Sequence, residues 1–106
     1  MSKDHVIDRL YETIAARRSA DPTKSYTAKL LGEGVERCAK KFGEEAVETV
    51  LAAMKGDKVA IAAESADALY HLLVLLAATG VTPEEVYAVL AARESRSGLD
   101  EKASRR

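Results

Sequence analysis

Apolar residues recur at helical spacing along almost the whole chain, and nowhere do they alternate with polar ones over the length of a strand. Val6, Ile7, Leu10, Tyr11 and Ile14 mark one face of a first helix, expected over residues 4–18. Asp21-Pro22 then interrupts the pattern, because a residue preceding proline is pushed out of the α region, and residues 19–24 read as loop. A short helix or turn is expected over residues 28–31, closing around Gly32 and Gly34. A long helix follows over residues 35–54. Gly56 stands where a glycine C-cap belongs and Asp57 where an N-cap does, so the chain turns into a second long helix over residues 58–79, stopped by Gly80. Thr82-Pro83-Glu84-Glu85 carries the N-cap, the first-turn proline and the N3 glutamate of a helix start. The last helix is expected to end near residue 95, leaving a polar tail over residues 96–106. The prediction is all-α: one domain over residues 1–106, an antiparallel helical bundle around a central long-helix hairpin.

The second half of the helix over residues 58–79, with Leu72, Leu73, Val74, Leu75, Leu76 and Ala77, is apolar nearly all round. Such a helix needs cover on every side, and a small domain has few elements to supply it, so a homodimer is expected to complete the bundle. Composition narrows the function classes further. The 106 residues carry 16 Lys and Arg against 17 Asp and Glu, a net charge of -1, which argues against a general nucleic-acid binder. Aromatics are 5% with no Trp, a poor basis for a single-strand stacking surface. A lone cysteine, Cys38, excludes an intramolecular disulfide, suits a reducing compartment, and reads as a small buried residue. The run over residues 72–78 falls short of the ~20 apolar residues of a membrane span, and the first eight residues lack the apolar stretch of a signal peptide. A cytoplasmic protein without a membrane partner is expected.

Two acidic clusters carry the chemistry: Glu44, Glu45 and Glu48 on one long helix, Glu64 and Asp67 on the next. Glu48 and Glu64 each lie eight residues from Gly56, and Glu45 and Asp67 each lie eleven from it. In an antiparallel hairpin, equal distances from the turn mean equal heights, and i, i+3 spacing puts each pair on one face. Four carboxylates, Glu45, Glu48, Glu64 and Asp67, can converge on one point. Such a cluster repels itself unless a cation neutralises it. An all-oxygen set without Cys or a Glu-x-x-His pairing selects a hard ion, Mg²⁺ or Mn²⁺, and Mg²⁺ keeps positions open for substrate phosphates. Solvated helix faces with Lys40 or Lys41 pairing to Glu44 are the plainer alternative for these acids.

The segments Lys41-Phe42-Gly43-Glu44-Glu45-Ala46-Val47-Glu48 and Glu64-Ser65-Ala66-Asp67-Ala68-Leu69-Tyr70-His71 together resemble the MazG-type all-α nucleotide pyrophosphohydrolases, whose pattern is Glu-Glu-x-x-Glu followed by Glu-x-x-Asp. Within them the chain is similar to the phosphoribosyl-ATP pyrophosphohydrolases, through residues 22–27, Leu69-Tyr70-His71 and residues 97–105. That resemblance implies Mg²⁺-dependent cleavage of phosphoribosyl-ATP between its α and β phosphates, giving phosphoribosyl-AMP and pyrophosphate in the second step of histidine biosynthesis. It implies Glu45, Glu48, Glu64 and Asp67 as metal ligands, and Glu44 as either a ligand to a further ion or a base for the attacking water. Candidate substrate contacts are Lys24, Ser25, Tyr26, Thr27, Lys41, His71, Ser97, Lys102 and Arg105. Helix capping also accounts for Ser25 or Thr27, and a packed, hydrogen-bonded histidine for His71. A MazG-like hydrolase of other nucleoside triphosphates, or a helical module with a structural ion, are the competing readings.

Overall fold

The computed structural model describes residues 5–94. It consists of α1 Val6–Ala16, a 3-10 turn Arg17–Ser19, α2 Tyr26–Glu33, α3 Val35–Lys55, α4 Lys58–Thr79 and α5 Pro83–Arg93, with no strand among the described residues. The all-α expectation holds. Helix α1 starts after His5, whose Nδ1 accepts the amide of Ile7 at 3.2 Å. It ends two residues before the expected Arg18 because the chain tightens into the 3-10 turn. From there the Arg18 guanidinium donates to the Ala77 carbonyl in the last turn of α4, an acceptor it shares with the Gly80 amide, and a cationic donor suits that end of the helix.

Helix α2 begins earlier than expected and closes at Gly34, the later of the two glycines expected to end it. Ser25 is its N-cap, with Oγ accepting the Ala28 amide at 3.1 Å, so helix begins at Tyr26. Gly32 lies inside the helix rather than ending it, a tolerated cost of about 1 kcal/mol relative to alanine. The break comes at Gly34, whose φ of 99° suits glycine alone. The hairpin between α3 and α4 follows the sequence closely. Gly56 turns left-handed with φ 73°, and Asp57 Oδ1 accepts the amides of Val59 and Ala60 at 3.0 and 3.2 Å. These two helices pack against each other more extensively than any other pair.

At the start of α5 the capping box is complete: Glu85 N–H donates to Thr82 Oγ1 at 3.3 Å, and Thr82 N–H donates to Glu85 Oε1 at 3.0 Å. Thr82→Ala is expected to lower stability by about 1 kcal/mol and the melting temperature by roughly 4–8 °C, as a thermal melt would show. Thr82→Ser, which keeps the hydroxyl, is expected to stay near the wild type. Helix α5 ends at Arg93, two residues short of the expected Ser95.

The core gathers Ile14, Leu30, Leu31, Cys38, Leu73, Val74 and Ala77. Cys38 is the small buried residue expected: its thiol donates to the Leu30 carbonyl at 3.3 Å, and burial, then Glu33, pushes its pKa up, away from nucleophilic chemistry. Helix α1 is tied to α5 by Tyr87, whose hydroxyl donates to buried Asp8 at 3.0 Å, and to the loop before α5 by Tyr11, which donates to the Val81 carbonyl at 3.1 Å. By length and composition α4 as a whole is apolar enough to cross a membrane, with mean hydropathy 1.6 over its most apolar stretch. Here it packs against α1, α2 and α3. Cover along it is uneven, since Leu73, Val74 and Ala77 are buried but Leu72, Leu75 and Leu76 are only partly so.

Candidate active site

Within the α3–α4 hairpin, one carboxylate oxygen each from Glu45, Glu64 and Asp67 lies within 4.8 Å of the other two. The i, i+3 spacing on α4 places Glu64 and Asp67 one turn apart on a single face, and Glu45 meets them from α3. Crowding has an electrostatic signature. Partial burial, and then the negative charges of Asp67, Glu48 and Glu45, push the Glu64 carboxyl above its ordinary 4.5. Of the four carboxylates expected at one point, three come together. Glu48 is exposed and outside that group, although its field reaches Glu64.

The three oxygens suit a small hard cation. Around Mg²⁺ at ~2.1 Å, ligand oxygens sit roughly 3 to 4 Å apart, so modest side-chain rotation closes this group onto one ion. A cation would also remove the repulsion that disfavours the Glu64 carboxylate.

Glu44 points elsewhere. Its Oε1 is 3.4 Å from Lys41 Nζ, the i, i+3 ion pair that a solvated helix face offers. The hydrogen bond to Glu44, and next the neighbouring Tyr26, hold the Lys41 ammonium above its ordinary pKa. Lys41 is half-buried while Lys40 is exposed, and Glu44, Tyr26 and Glu45 are the groups that act on Lys41.

The start of α2 borders this region. Two of its residues have structural work. Ser25 caps the helix, and Thr27 hydrogen-bonds through Oγ1 to the Tyr70 hydroxyl rather than capping; both are buried. Lys24 is exposed. Tyr26 is 50% exposed, and its hydroxyl lies 3.1 Å from His71 Nε2. On the other side of the ring, His71 Nδ1 is 2.9 Å from the Asp67 carbonyl. A carbonyl only accepts, so Nδ1 carries the proton, and in the neutral ring Nε2 accepts from the Tyr26 hydroxyl. His71 is therefore the packed, hydrogen-bonded histidine, one turn from Asp67 and edge-on to Tyr70 at 5.1 Å. The Asp67/His71 spacing was legible in the sequence, but the partnership with Tyr26 was not, because it joins residues 45 positions apart. Ser97, Lys102 and Arg105 lie outside the described residues.

Comparison with known proteins places the chain in a family. The family model described as phosphoribosyl-ATP pyrophosphohydrolase matches residues 7–94, from the second residue of α1 through α5. A phosphoribosyl-ATP pyrophosphatase of Parvibaculum lavamentivorans is 62% identical over 99 residues, 93% of this chain and 91% of the relative. One from Cereibacter sphaeroides is 59% identical over 100 residues, 94% of this chain and 97% of the relative. Another, from Azospirillum brasilense, is 56% identical over 101 residues, 95% of this chain and 91% of the relative. Identity of this extent along nearly the whole length, including the acidic hairpin, makes the chain a member of the phosphoribosyl-ATP pyrophosphohydrolase family.

Proposed function

We propose that the chain hydrolyses phosphoribosyl-ATP to phosphoribosyl-AMP and pyrophosphate, the second step of histidine biosynthesis, as a cytoplasmic, homodimeric enzyme that uses Mg²⁺ or Mn²⁺. Beside family membership, the observation that carries this reading is the convergence of Glu45, Glu64 and Asp67 on one small volume. Those three residues would hold the ion, and Glu48, one turn after Glu45, would complete the set. Bound there, Mg²⁺ supplies positive charge for the phosphate oxygens and makes water more acidic.

The remaining steps belong to the chain's own groups. Glu44 is outside the converging group and hydrogen-bonded to Lys41, which favours the role of base over that of ligand. An exposed ion pair of this kind is worth about 0–1 kcal/mol, so a polyphosphate can exchange for it at little cost. Lys41 then turns to a phosphate oxygen, and Glu44 is freed to accept a proton from the attacking water. As the water oxygen bonds to phosphorus, the bridging P–O bond breaks and pyrophosphate leaves with the electron pair. Selection among triphosphates must come from groups beyond the acidic hairpin, because every triphosphate offers the same phosphate chain. Lys24, and Ser97, Lys102 and Arg105 from the tail, are the donors assigned to the second ribose phosphate and the nucleoside.

The test is pyrophosphate release from phosphoribosyl-ATP beside ATP and dUTP, with Mg²⁺ and with a chelator. Release is expected from phosphoribosyl-ATP, far faster than from the other two, and only with a divalent ion. Equal rates on all three substrates would overturn the substrate assignment. Undiminished release in chelator would overturn the metal.

A further inference from the structure

Tyr26 is the one aromatic ring exposed among the described residues; Tyr11, Phe42, Tyr70 and Tyr87 are all at least partly buried. An exposed ring is ordinarily free to rotate about χ1 and χ2, but this one is tethered. Its hydroxyl hydrogen-bonds to His71 Nε2 at 3.1 Å, and the two rings meet at 74° with centroids 5.9 Å apart. That contact runs through the hydroxyl at the ring's edge, so it fixes the ring while half of the residue stays open to other partners. The tether also fixes the ring's place relative to the acidic group. His71 is anchored at 2.9 Å to the carbonyl of Asp67, one helical turn or ~6 Å along α4, and Lys41 is close enough to feel the Tyr26 hydroxyl. A pre-oriented, half-exposed aromatic beside a polyphosphate site is suited to the one flat apolar part of the substrate.

We propose that Tyr26 is the platform on which the adenine ring of phosphoribosyl-ATP stacks, with His71 as the positioning residue that aims it. The inference rests on the assignment of the hairpin as the phosphate site, and it adds the base subsite. Stacking energy comes from the ring, and the hydroxyl serves orientation. Loss of the ring therefore costs affinity, while loss of the hydroxyl alone costs much less. Aromatic–base stacking corresponds to roughly a five- to hundredfold change in binding.

The chain has no tryptophan, so Tyr26→Trp places a single indole reporter at the platform. Titration with phosphoribosyl-AMP is expected to quench its emission, and titration with pyrophosphate is expected to leave it unchanged. Tyr26→Ala is expected to raise KM for phosphoribosyl-ATP roughly five- to hundredfold with kcat within about threefold of the wild type. Tyr26→Phe is expected to recover most of that loss. Absence of quenching by phosphoribosyl-AMP overturns the proposal, and so does an equal rise in KM for Tyr26→Phe and Tyr26→Ala, which would assign the effect to the hydroxyl. A change of mass by light scattering in Tyr26→Ala also overturns it, placing the ring at a subunit contact. Failure of the phosphate-site reading shows separately, as loss of divalent-ion dependence in the wild type, which the quenching measurement does not involve.

Discussion

Glu64→Gln is expected to lower pyrophosphate release from phosphoribosyl-ATP by about a hundred- to a thousandfold and, in metal-free protein at neutral pH, to raise the melting temperature. A cation at a reacting phosphate contributes several kcal/mol to the transition state, and each ~1.4 kcal/mol is tenfold in rate. The gain in stability follows from the same crowding. The Glu64 carboxyl titrates above its ordinary 4.5 because partial burial and the charges of Asp67, Glu48 and Glu45 oppose its ionisation. Between the unfolded and folded pKa values the folded state binds more protons, so this group's contribution to stability falls as pH rises through that window. Above the folded pKa the full cost is present; below both values it vanishes. The amide should therefore melt higher than wild type at pH 7 and lose that advantage as pH falls below about 4. Saturating Mg²⁺ should reverse the order, because a ligand at 100 times its Kd stabilises by ~2.7 kcal/mol and the variant forfeits it. Helical circular dichroism should match the wild type throughout. A metal-free Glu64→Gln protein that melts lower than wild type at neutral pH would show that the carboxylates are satisfied without an ion. Glu48→Gln should also lose activity, but less than Glu64→Gln, since Glu48 lies outside the converging three. Near-normal turnover at saturating Mg²⁺ would remove Glu48 from the site.

What was legible in the sequence depended on how local its cause was. The α3–α4 turn is governed by Gly56 and Asp57 alone, and both act as their residue types suggest. The α5 start is equally local, four residues reading Thr-Pro-Glu-Glu. Equal heights across that turn then brought Glu45, Glu64 and Asp67 together from spacing alone. Height does not fix azimuth, however. Glu48 has the right height for the group, yet its carboxylate lies outside the three that converge. The start of α2 is less legible: its eight residues, Tyr26–Glu33, are too few to show a period, and of the two glycines expected to close it only Gly34 does so. Tyr26 and His71 were both singled out, yet their mutual bond exists only once α2 lies on α4.

Leu69→Asp combined with Leu90→Asp is expected to convert the enzyme from two chains to one while its helices remain folded. Leu69 and Leu90 are 48% and 53% exposed, and they line an apolar groove of about 180 Å³ with Leu72, Leu76 and Val86. Charges placed there meet water in a single chain, so the fold should tolerate them. In a dimer that covers this face, they remove burial of the exposed half of each leucine, worth about 0.8–1.5 kcal/mol apiece. A twofold interface counts each position twice, so four leucines make roughly 3–6 kcal/mol, or about two to four orders of magnitude in dissociation constant. Leu73→Asp supplies the contrast. That residue is 4% exposed and packs in the core beside Val74, so an unpaired charge there should unfold the chain rather than split a dimer. Light scattering and circular dichroism on the three proteins separate these outcomes. A wild type with the mass of one chain at micromolar concentration ends the dimer assignment. If the double variant stays dimeric, the interface lies instead on the hairpin face where Val50, Leu51, Met54 and Val59 are exposed. Helix α4 would then keep its partly uncovered leucines in the assembled enzyme, and the expectation that dimerisation covers them would be wrong.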